Sequence, residues 1–278
     1  MDVSVIIVSY NNKKLLRDCL QSVIDNTKGV SYEIIVIDNN STDGSQEMLR
    51  EMYPNITLLC NEENIGFSRA NNQGYNYSSG EYLLFLNSDT LILGNAVEKM
   101  TMYLKENAGV GILGPKILTS HHQPTRSYMR FLDAKKLFLG SKHIRFFVDV
   151  EKYRIHFPLY DYNSIQKVPW LSGACLMIAR KVFEEAGLFD EHYFLYFEDM
   201  DLCLQVNRLG YDVVYFPVVE IIHMFGGSSK KHPDQLHKLH DNSMAYYFRK
   251  NIPGIQYLLA MLYIWLFSDF LRRHREDS

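Results

Sequence analysis

Residues 3–12 read VSVIIVSYNN, and this stretch decides the fold. A continuous β-branched run that ends in polar residues is typical of a strand buried on both faces of a parallel sheet. Apolar residues at helical spacing follow at 15–24, and further apolar runs lie at 33–38 (EIIVID), 56–60 (ITLLC) and 81–86 (EYLLFL). Strands that alternate with helices predict an α/β domain with a mostly parallel central sheet and helices on both faces.

The second half of the chain is less regular. Residues 116–168 show no steady period and predict a long excursion with weak local structure. After it we expect a strand with an irregular start at 170–179, a helix at 199–209, a strand at 212–216 that Pro217 ends, and two C-terminal helices at 234–249 and 254–273. The sequence therefore predicts one α/β domain followed by a helical appendage.

The composition of the chain excludes some functional classes of protein. The 278 residues include 29 Lys and Arg against 32 Asp and Glu, so the net charge of −3 offers no cationic field for nucleic acid. The four cysteines stand far apart without a CxxC pair, which is typical of reduced thiols in a cytoplasmic protein. The first residues enter a strand directly, so we expect no signal peptide.

Polar side chains follow the predicted strands where ligands of such sheets bind. Ser9 follows the first strand, Asp38 ends the second, and Asn87 and Asp89 follow the fourth. One carboxylate can accept hydrogen bonds from a base or ribose, and another can bind a hard divalent cation. Each alone also suits a turn. Together they favour a nucleotide and metal site, and the lack of a Walker A loop or GxGxxG motif disfavours a P-loop NTPase or a dinucleotide oxidoreductase.

At this point the sequence resembles the family 2 inverting glycosyltransferases of the GT-A fold, especially their rhamnosyltransferase-like branch. The matching stretches are VSVIIVSYNN (3–12), IVIDNNSTDGS (35–45), NIGFSRANNQG (64–74), YLLFLNSDT (82–90), WLSGACLMIAR (170–180), FLYFEDMDLCLQVNRLGY (194–211) and IIHMFGGSS (221–229). The resemblance implies a GT-A domain over 1–230. Within it, 1–115 would be the nucleotide-sugar-binding half, 116–168 an irregular excursion and 169–230 the acceptor and catalytic half, before the C-terminal helices at 231–278.

The resemblance also assigns roles on the nucleotide side. Asp38 would contact the nucleobase, and Ser9 and Asn64 would lie near the base and ribose. Arg69 and Asn71 would shape the same pocket.

A divalent cation, Mg²⁺ or Mn²⁺, is implied in the same way. Asp89 fills the metal position of the family's DxD-type motif, and His223 matches a C-terminal histidine that approaches the metal or the diphosphate. Asn87 stands at the first position of that motif, so the site has one anionic ligand fewer.

The pair Glu198-Asp199 matches the family's ED motif, in which the aspartate is the catalytic base. Asp199 is predicted at a helix N-terminus, where the helix dipole favours an ionised carboxylate. The alternative is that Asp199 only caps this helix, and Glu198 remains a candidate to share the work. Trp170 and Gly173 resemble the family's acceptor-side wall; the alternative for them is core packing.

The implied reaction is inverting transfer of a sugar from a nucleoside-diphosphate donor to a glycan or lipid-linked glycan acceptor. Rhamnose from dTDP-rhamnose is the best guess for the donor, from the subgroup resemblance alone. Two alternatives stay open: a sugar-nucleotide pyrophosphorylase, which needs a glycine-rich loop with a basic residue after the first strand, and a catalytically silent nucleotide-sugar-binding scaffold.

The C-terminal stretch 257–267 (YLLAMLYIWLF) is apolar around the whole helix and too short to span a bilayer, which needs about 20 residues. Such a helix is buried in the protein's own core, in a homo-oligomer interface, or in a peripheral membrane contact through 254–273. In the membrane case, Arg272, Arg273, His274 and Arg275 would meet anionic headgroups at the inner face of the cell membrane.

Overall fold

The computed structural model describes residues 1–134, 160–224 and 233–273. Its strands are β1 (Val3–Ser9), β2 (Tyr32–Asp38), β3 (Thr57–Cys60), β4 (Tyr82–Asn87), β5 (Thr90–Ile92), β6 (Val110–Leu118), β7 (Tyr128–Met129), β8 (Gln166–Lys167), β9 (Trp170–Leu171), β10 (Cys175–Ala179) and β11 (Asp212–His223). Its helices are α1 (Lys13–Asn26), α2 (Ser45–Met52), α3 (Phe67–Asn76), α4 (Ala96–Glu106), α5 (Arg180–Glu185), α6 (Glu198–Arg208), α7 (Pro233–Asn251) and α8 (Ile255–Arg273).

The central sheet has the strand order β3-β2-β1-β4-β10-β6-β11-β5, and β8 pairs with β11. Strand β1 lies parallel to β2 and β4, with Ser9 level with Asp38 and Val8 level with Asn87. Strand β10 enters antiparallel between β4 and β6. The predicted mostly parallel sheet is confirmed, and its register brings the polar exits of β1, β2 and β4 to one edge.

Both faces of the sheet are buried, as the continuous apolar runs predict. Val5 and Ile7 face one cluster, which α1, α2 and α4 complete. Ile6 faces a second cluster, which α3, α5 and α6 complete. Because side chains alternate along a strand, a run that is apolar at every position supplies both layers.

Residues 170–179 form two strands rather than the predicted single one. Strand β9 leaves the main sheet and pairs with β7, with Trp170 level with Met129. Strand β10 begins only at Cys175, where it joins β4. The break at 172–174 places Gly173 beside the N-terminus of α6, where its N–H bonds to Asp199.

The prediction that a strand ends at Pro217 is wrong, because β11 continues to His223. Proline cannot donate a ladder hydrogen bond. The chain accommodates it through a register shift between Phe216 and Glu220 in the pairing with β6. Beyond the shift, β11 also pairs with β5 and sets His223 level with Thr90.

The two C-terminal helices are present as predicted, and they pack against α6 and the loop that precedes it. A third apolar cluster joins Tyr247 and Phe248 of α7, Ala260 of α8, and Tyr193 and Phe197 of the preceding loop. A partly exposed ion network closes the same contact. Lys250 Nζ lies 2.8 Å from a carboxylate oxygen of Asp190 and 2.7 Å from one of Asp201.

In the described ranges, no helix has the length and apolar character needed to cross a membrane. The predicted domain boundary at 230 and the GGSS segment after His223 lie outside the described residues.

Candidate active site

A cleft of about 950 Å³ lies at the carboxyl edge of the sheet. Among the predicted site residues it is lined by Asn64, Asn87, Asp89, Gly173, Glu198, Asp199 and His223. The donor-side and catalytic-side motifs, which lie more than a hundred residues apart in sequence, therefore share one opening.

Asp89 and His223 form a hydrogen-bonded pair on the floor of this cleft. Nε2 of His223 lies 3.0 Å from Oδ1 of Asp89, and both side chains are mostly buried. The antiparallel pairing of β5 with the end of β11 creates this contact, and the N–H of Met224 donates to the carbonyl of Asp89 at 2.9 Å. The pair depends on the part of β11 that runs past Pro217.

The possible ligand atoms beside this pair suit a divalent cation that also binds a substrate. Asp89, His223 and Asn87 offer a carboxylate, an imidazole and an amide to the cleft. No group of three or more His, Cys, Asp or Glu gathers within the described parts of the chain. Mg²⁺ in particular is commonly bound by one or two carboxylates and completed by waters and substrate phosphates. The residues present fit that incomplete type of site.

Glu198 and Asp199 open α6 directly after a constrained turn. Tyr196 and Phe197 both have positive φ, at 69° and 71°, which is costly for residues with a side chain. Packing of Phe197 against Tyr247 in the third cluster holds the turn. The turn presents Asp199 to the cleft, where its Oδ2 accepts a 2.7 Å hydrogen bond from the N–H of Gly173.

The two acidic groups differ in their surroundings. Burial raises the pKa of Asp199 to about 6, while hydrogen bonds from the N–H groups of Gly173 and Met200 oppose that rise. Burial and the charge of Asp199 raise the pKa of Glu198 to about 8, and its Oε2 has no hydrogen-bond partner among the described residues. Asp199 is therefore the carboxyl that ionises first, as a base near neutral pH requires.

On the nucleotide side, Asp38 is fully buried and lies behind the residues that line the cleft. Its Oδ1 accepts hydrogen bonds of 2.8 Å from the N–H of Ser41 and the amide of Gln46. Its Oδ2 has no partner among the described residues. Asn39, the next residue, lines the cleft and donates to Oδ1 of Asn64 at 3.1 Å.

The other predicted site residues stand behind or outside the cleft. Ser9 is buried and donates to Oδ1 of Asn12, which itself lines the cleft. Asn71 is buried and donates to the carbonyl of Phe67. Arg69 is exposed and pairs with Glu191 at 3.2 Å. Trp170 packs half-buried between the second and third clusters and does not line the cleft.

The family model for glycosyl transferase family 2 matches residues 4–187 of the chain. The protein belongs to glycosyl transferase family 2. The transferase is 27% identical over 225 residues to an N-acetylglucosaminyl-diphospho-decaprenol L-rhamnosyltransferase of Mycobacterium tuberculosis. The alignment covers 72% of this chain and 69% of the relative. It is 26% identical over 236 residues to the dTDP-rhamnosyl transferase RfbF of Shigella flexneri, covering 83% and 71%.

Solved structures agree with the GT-A fold of this glycosyltransferase. The S. aureus protein TarS (residues 1–349) in complex with UDP superimposes with a TM-score of 0.60 at 16% identity, covering 99% of this chain and 72% of that one. The mannosyltransferase of Pyrobaculum calidifontis, in complex with GDP-Man and Mn²⁺, gives 0.59 at 18% identity, covering 96% and 71%. At these identities the likeness is evidence for the fold alone.

Sequence reasoning missed one wall of the glycosyltransferase cleft. Five residues of α7 line it: Gln235, Leu236, Lys238, Leu239 and Asn242. The loop residues Phe194, Leu195 and Tyr196 also line the cleft and add an apolar border, and the loop contacts α7 through Leu195 and Tyr196. The signal was the helical spacing of polar residues at 235, 238 and 242, but nothing in the sequence says which part of the molecule that face meets.

Proposed function

We propose that this glycosyltransferase transfers a sugar with inversion from a nucleoside-diphosphate donor to an acceptor hydroxyl, with Asp199 as the general base. The observation that supports this most is that Asp199 and the Asp89–His223 pair line the same cleft. One cleft then holds both a base for the acceptor and a site for the leaving diphosphate, as a single displacement requires.

The step follows from the roles of these side chains. The acceptor oxygen attacks the anomeric carbon and forms the new glycosidic bond, while the bond from that carbon to the phosphate oxygen breaks. The hydroxyl proton passes to the carboxylate of Asp199. The Gly173 N–H holds that carboxylate in place before and after the transfer. The nucleoside diphosphate leaves with the electron pair of the broken bond.

A divalent cation fits this proposal. Asp89 and His223, with Asn87 beside them, would hold it, and it would neutralise charge on the leaving diphosphate.

For the donor we propose dTDP-rhamnose. The support is that similar proteins carry the names L-rhamnosyltransferase and dTDP-rhamnosyl transferase. On the protein side, Oδ2 of Asp38 is a buried acceptor without a described partner, and it lies behind the cleft rather than in its lining. Asn39 and Asn64 border the cleft beside it.

For the acceptor we propose a lipid-linked glycan met at the inner face of the cell membrane. The outward face of α8 supports this: Ile255, Leu258, Leu259, Leu262, Trp265 and Leu266 are all exposed and recur at helical spacing. The opposite face packs inward through Ala260. Tryptophan favours the membrane interface, and the basic stretch at 272–275 in the sequence suits anionic headgroups. A second copy of the chain is the competing occupant.

Neither alternative function gains support. A pyrophosphorylase needs a glycine-rich loop with a basic residue after the first strand, where this chain has Ser9, Tyr10 and Asn11. A silent scaffold has no use for a buried acidic pair whose pKa values are raised at the rim of the cleft.

The test is a thermal-shift panel of dTDP-, UDP- and GDP-sugars with Mg²⁺ or Mn²⁺, followed by product analysis with the stabilising donor. A ligand at 100 times its Kd adds about 2.7 kcal/mol of stability, which is several degrees in Tm for a chain of this size. We expect dTDP-rhamnose with a divalent cation to give the largest shift, and an inverted anomeric product. No shift with any nucleotide sugar, or a retained anomer, contradicts the proposal.

A further inference from the structure

The wall that α7 adds to the cleft is fixed in place. Ser243 Oγ donates a 2.8 Å hydrogen bond to the carbonyl of Leu195, and the ring of His240 packs edge-on against Phe197 at 5.3 Å. Further along the helix, Lys250 is held between two carboxylates. Because α7 is anchored along its second half, the face at 235, 238 and 242 keeps its orientation toward the cleft.

The charges that line the cleft are mostly negative. Asp89, Glu198 and Asp199 are the acidic groups, and Lys238 is the single lysine or arginine that lines it in the described part of the chain. A nucleoside diphosphate or a phosphate-linked acceptor brings further negative charge into this space. A phosphate in such a site needs cationic donors beside any metal ion.

Lys238 is free to supply such a donor. Its ammonium group makes no hydrogen bond or ion pair with another described residue, and its side chain is exposed to the cleft. Other lysines of the same half are already paired, as Lys250 is with Asp190 and Asp201. An unpaired lysine on an anchored wall is ready to meet an anion without first breaking an internal contact.

We propose that Lys238 binds a phosphate group of a substrate in the cleft, and that α7 is therefore part of the substrate site. This rests on the proposed function, because it takes the ligand of the cleft to carry phosphate. The chemistry is the same for the diphosphate of the donor and for a phosphate that links the acceptor glycan to its lipid. The two sources are separated by experiment.

The experiment compares Lys238→Met with Lys238→Arg and with Lys14→Met, which removes an exposed lysine of α1 outside the cleft. Calorimetry with Mg²⁺ measures the affinity of dTDP and of thymidine. Steady-state kinetics measure KM for a glycan acceptor with and without its linking phosphate. A charged hydrogen bond lost from a phosphate costs about 1.5–3 kcal/mol, so the affected constant should change about 10- to 100-fold.

Two results support the inference. If the donor is the source, Lys238→Met weakens dTDP about 10-fold or more and leaves thymidine unchanged. If the acceptor is the source, Lys238→Met raises KM only for the phosphate-linked acceptor. In either case Lys238→Arg restores most of the loss, and Lys14→Met behaves as the unaltered protein.

Three results overturn it. In the first, Lys238→Met matches Lys14→Met in every constant. In the second, Lys238→Met weakens dTDP and thymidine equally. In the third, Lys238→Arg fails to restore function while Tm falls, which marks a structural role. Failure of the proposed function looks different, because the unaltered protein then binds no nucleoside diphosphate and transfers no sugar.

Discussion

The backbone N–H of Gly173 donates a 2.7 Å hydrogen bond to Oδ2 of Asp199. A Cβ at position 173 would lie 3.1 Å from Cβ of Asp199 and 3.2 Å from the same Oδ2. A side chain at position 173 would therefore crowd Asp199. It arises because the chain breaks between β9 and β10, and it lowers the pKa of a carboxyl that burial otherwise raises.

Gly173→Ala should push Asp199 away from its bonded position by a few tenths of an ångström. Small displacements of a reacting group cost rate, so we expect kcat to fall about 10- to 100-fold with donor affinity unchanged. Gly109→Ala is the control, since a Cβ there meets nothing within 4 Å. Equal kcat values for the two variants, measured by initial rates, contradict this role for Gly173.

The buried Glu198 should make stability depend on pH. Its pKa rises from 4.5 to about 8 on folding, so the unfolded chain loses this proton first as pH increases. Stability from this group is then greatest below about pH 4.5 and falls until pH passes 8. Glu198→Gln removes this titrating group. As pH rises from 5 to 8, we therefore expect the free energy of unfolding of Glu198→Gln to gain at least about 1 kcal/mol relative to the unaltered protein, which is roughly 2–4 °C in Tm.

Thermal melts across that pH range check this prediction, with the exposed Glu63→Gln as control. Parallel curves for Glu198→Gln and the unaltered protein would mean that Glu198 keeps its charge in the folded state.

Asp89 is the one carboxylate of its motif, so Asp89→Ala should abolish the dependence of donor binding on a divalent cation. Calorimetry with and without Mg²⁺ measures this, and Asp18→Ala on the surface of α1 is the control. Asp89→Ala also removes the partner of His223. If affinity and metal response both survive in that variant, the cation is held elsewhere.

The role of the outward face of α8 can be tested without unfolding the two C-terminal helices. Deleting the helix would expose the third cluster that Ala260 helps to fill. The double change Leu258→Glu and Leu262→Glu alters side chains that are 65% and 44% exposed. We expect it to abolish flotation with vesicles that contain anionic lipid, because each charge near hydrocarbon is costly.

Met52→Glu with Met102→Glu is the matched control, since it adds the same charge at exposed apolar sites on α2 and α4. That pair should float as the unaltered protein does. If the α8 variant instead changes the mass by light scattering and leaves flotation intact, the face belongs to an oligomer.

The parts of the fold that the sequence predicts are those that a local pattern determines. The buried strands are apolar at most positions. Asp38 ends β2, and Asp89 follows two residues after the end of β4. The path of β11 past Pro217 was missed because a local rule ends a strand at proline, while pairing with β6 and β5 sustains it. The extended part of β11 brings His223 to Asp89. The contact between these two side chains therefore could not be predicted without knowing that β11 pairs with β5.

The α7 wall was missed for a related reason. Lys238 and Asn242 belong to no motif, and an amphipathic pattern does not say which polar face meets solvent and which meets a cleft. For α8 the sequence predicts a helix that is apolar all round and leaves its partners open. The structure packs one face through Ala260 and leaves the other exposed, and this follows only from the positions of Tyr247 and Phe248 beneath it.

Asp199→Asn should give a folded enzyme that binds donor and is nearly inactive. Asparagine keeps the shape of the side chain, and position 199 is the second residue of α6 rather than its N-cap, so Tm should change little. It still accepts the hydrogen bond from the Gly173 N–H through its amide oxygen, but it cannot take the hydroxyl proton of the acceptor. Loss of a general base costs about 10²–10⁴ in rate, so kcat should fall by that factor while the donor Kd stays constant.

Glu198→Gln in parallel separates the two acids, because Glu198 holds its proton more tightly and should not be the base. Near-normal transfer by Asp199→Asn with a collapsed Glu198→Gln would move the base to Glu198. An Asp199→Asn chain that fails to fold would mean that the carboxylate of Asp199 serves the fold at the start of α6 rather than proton transfer.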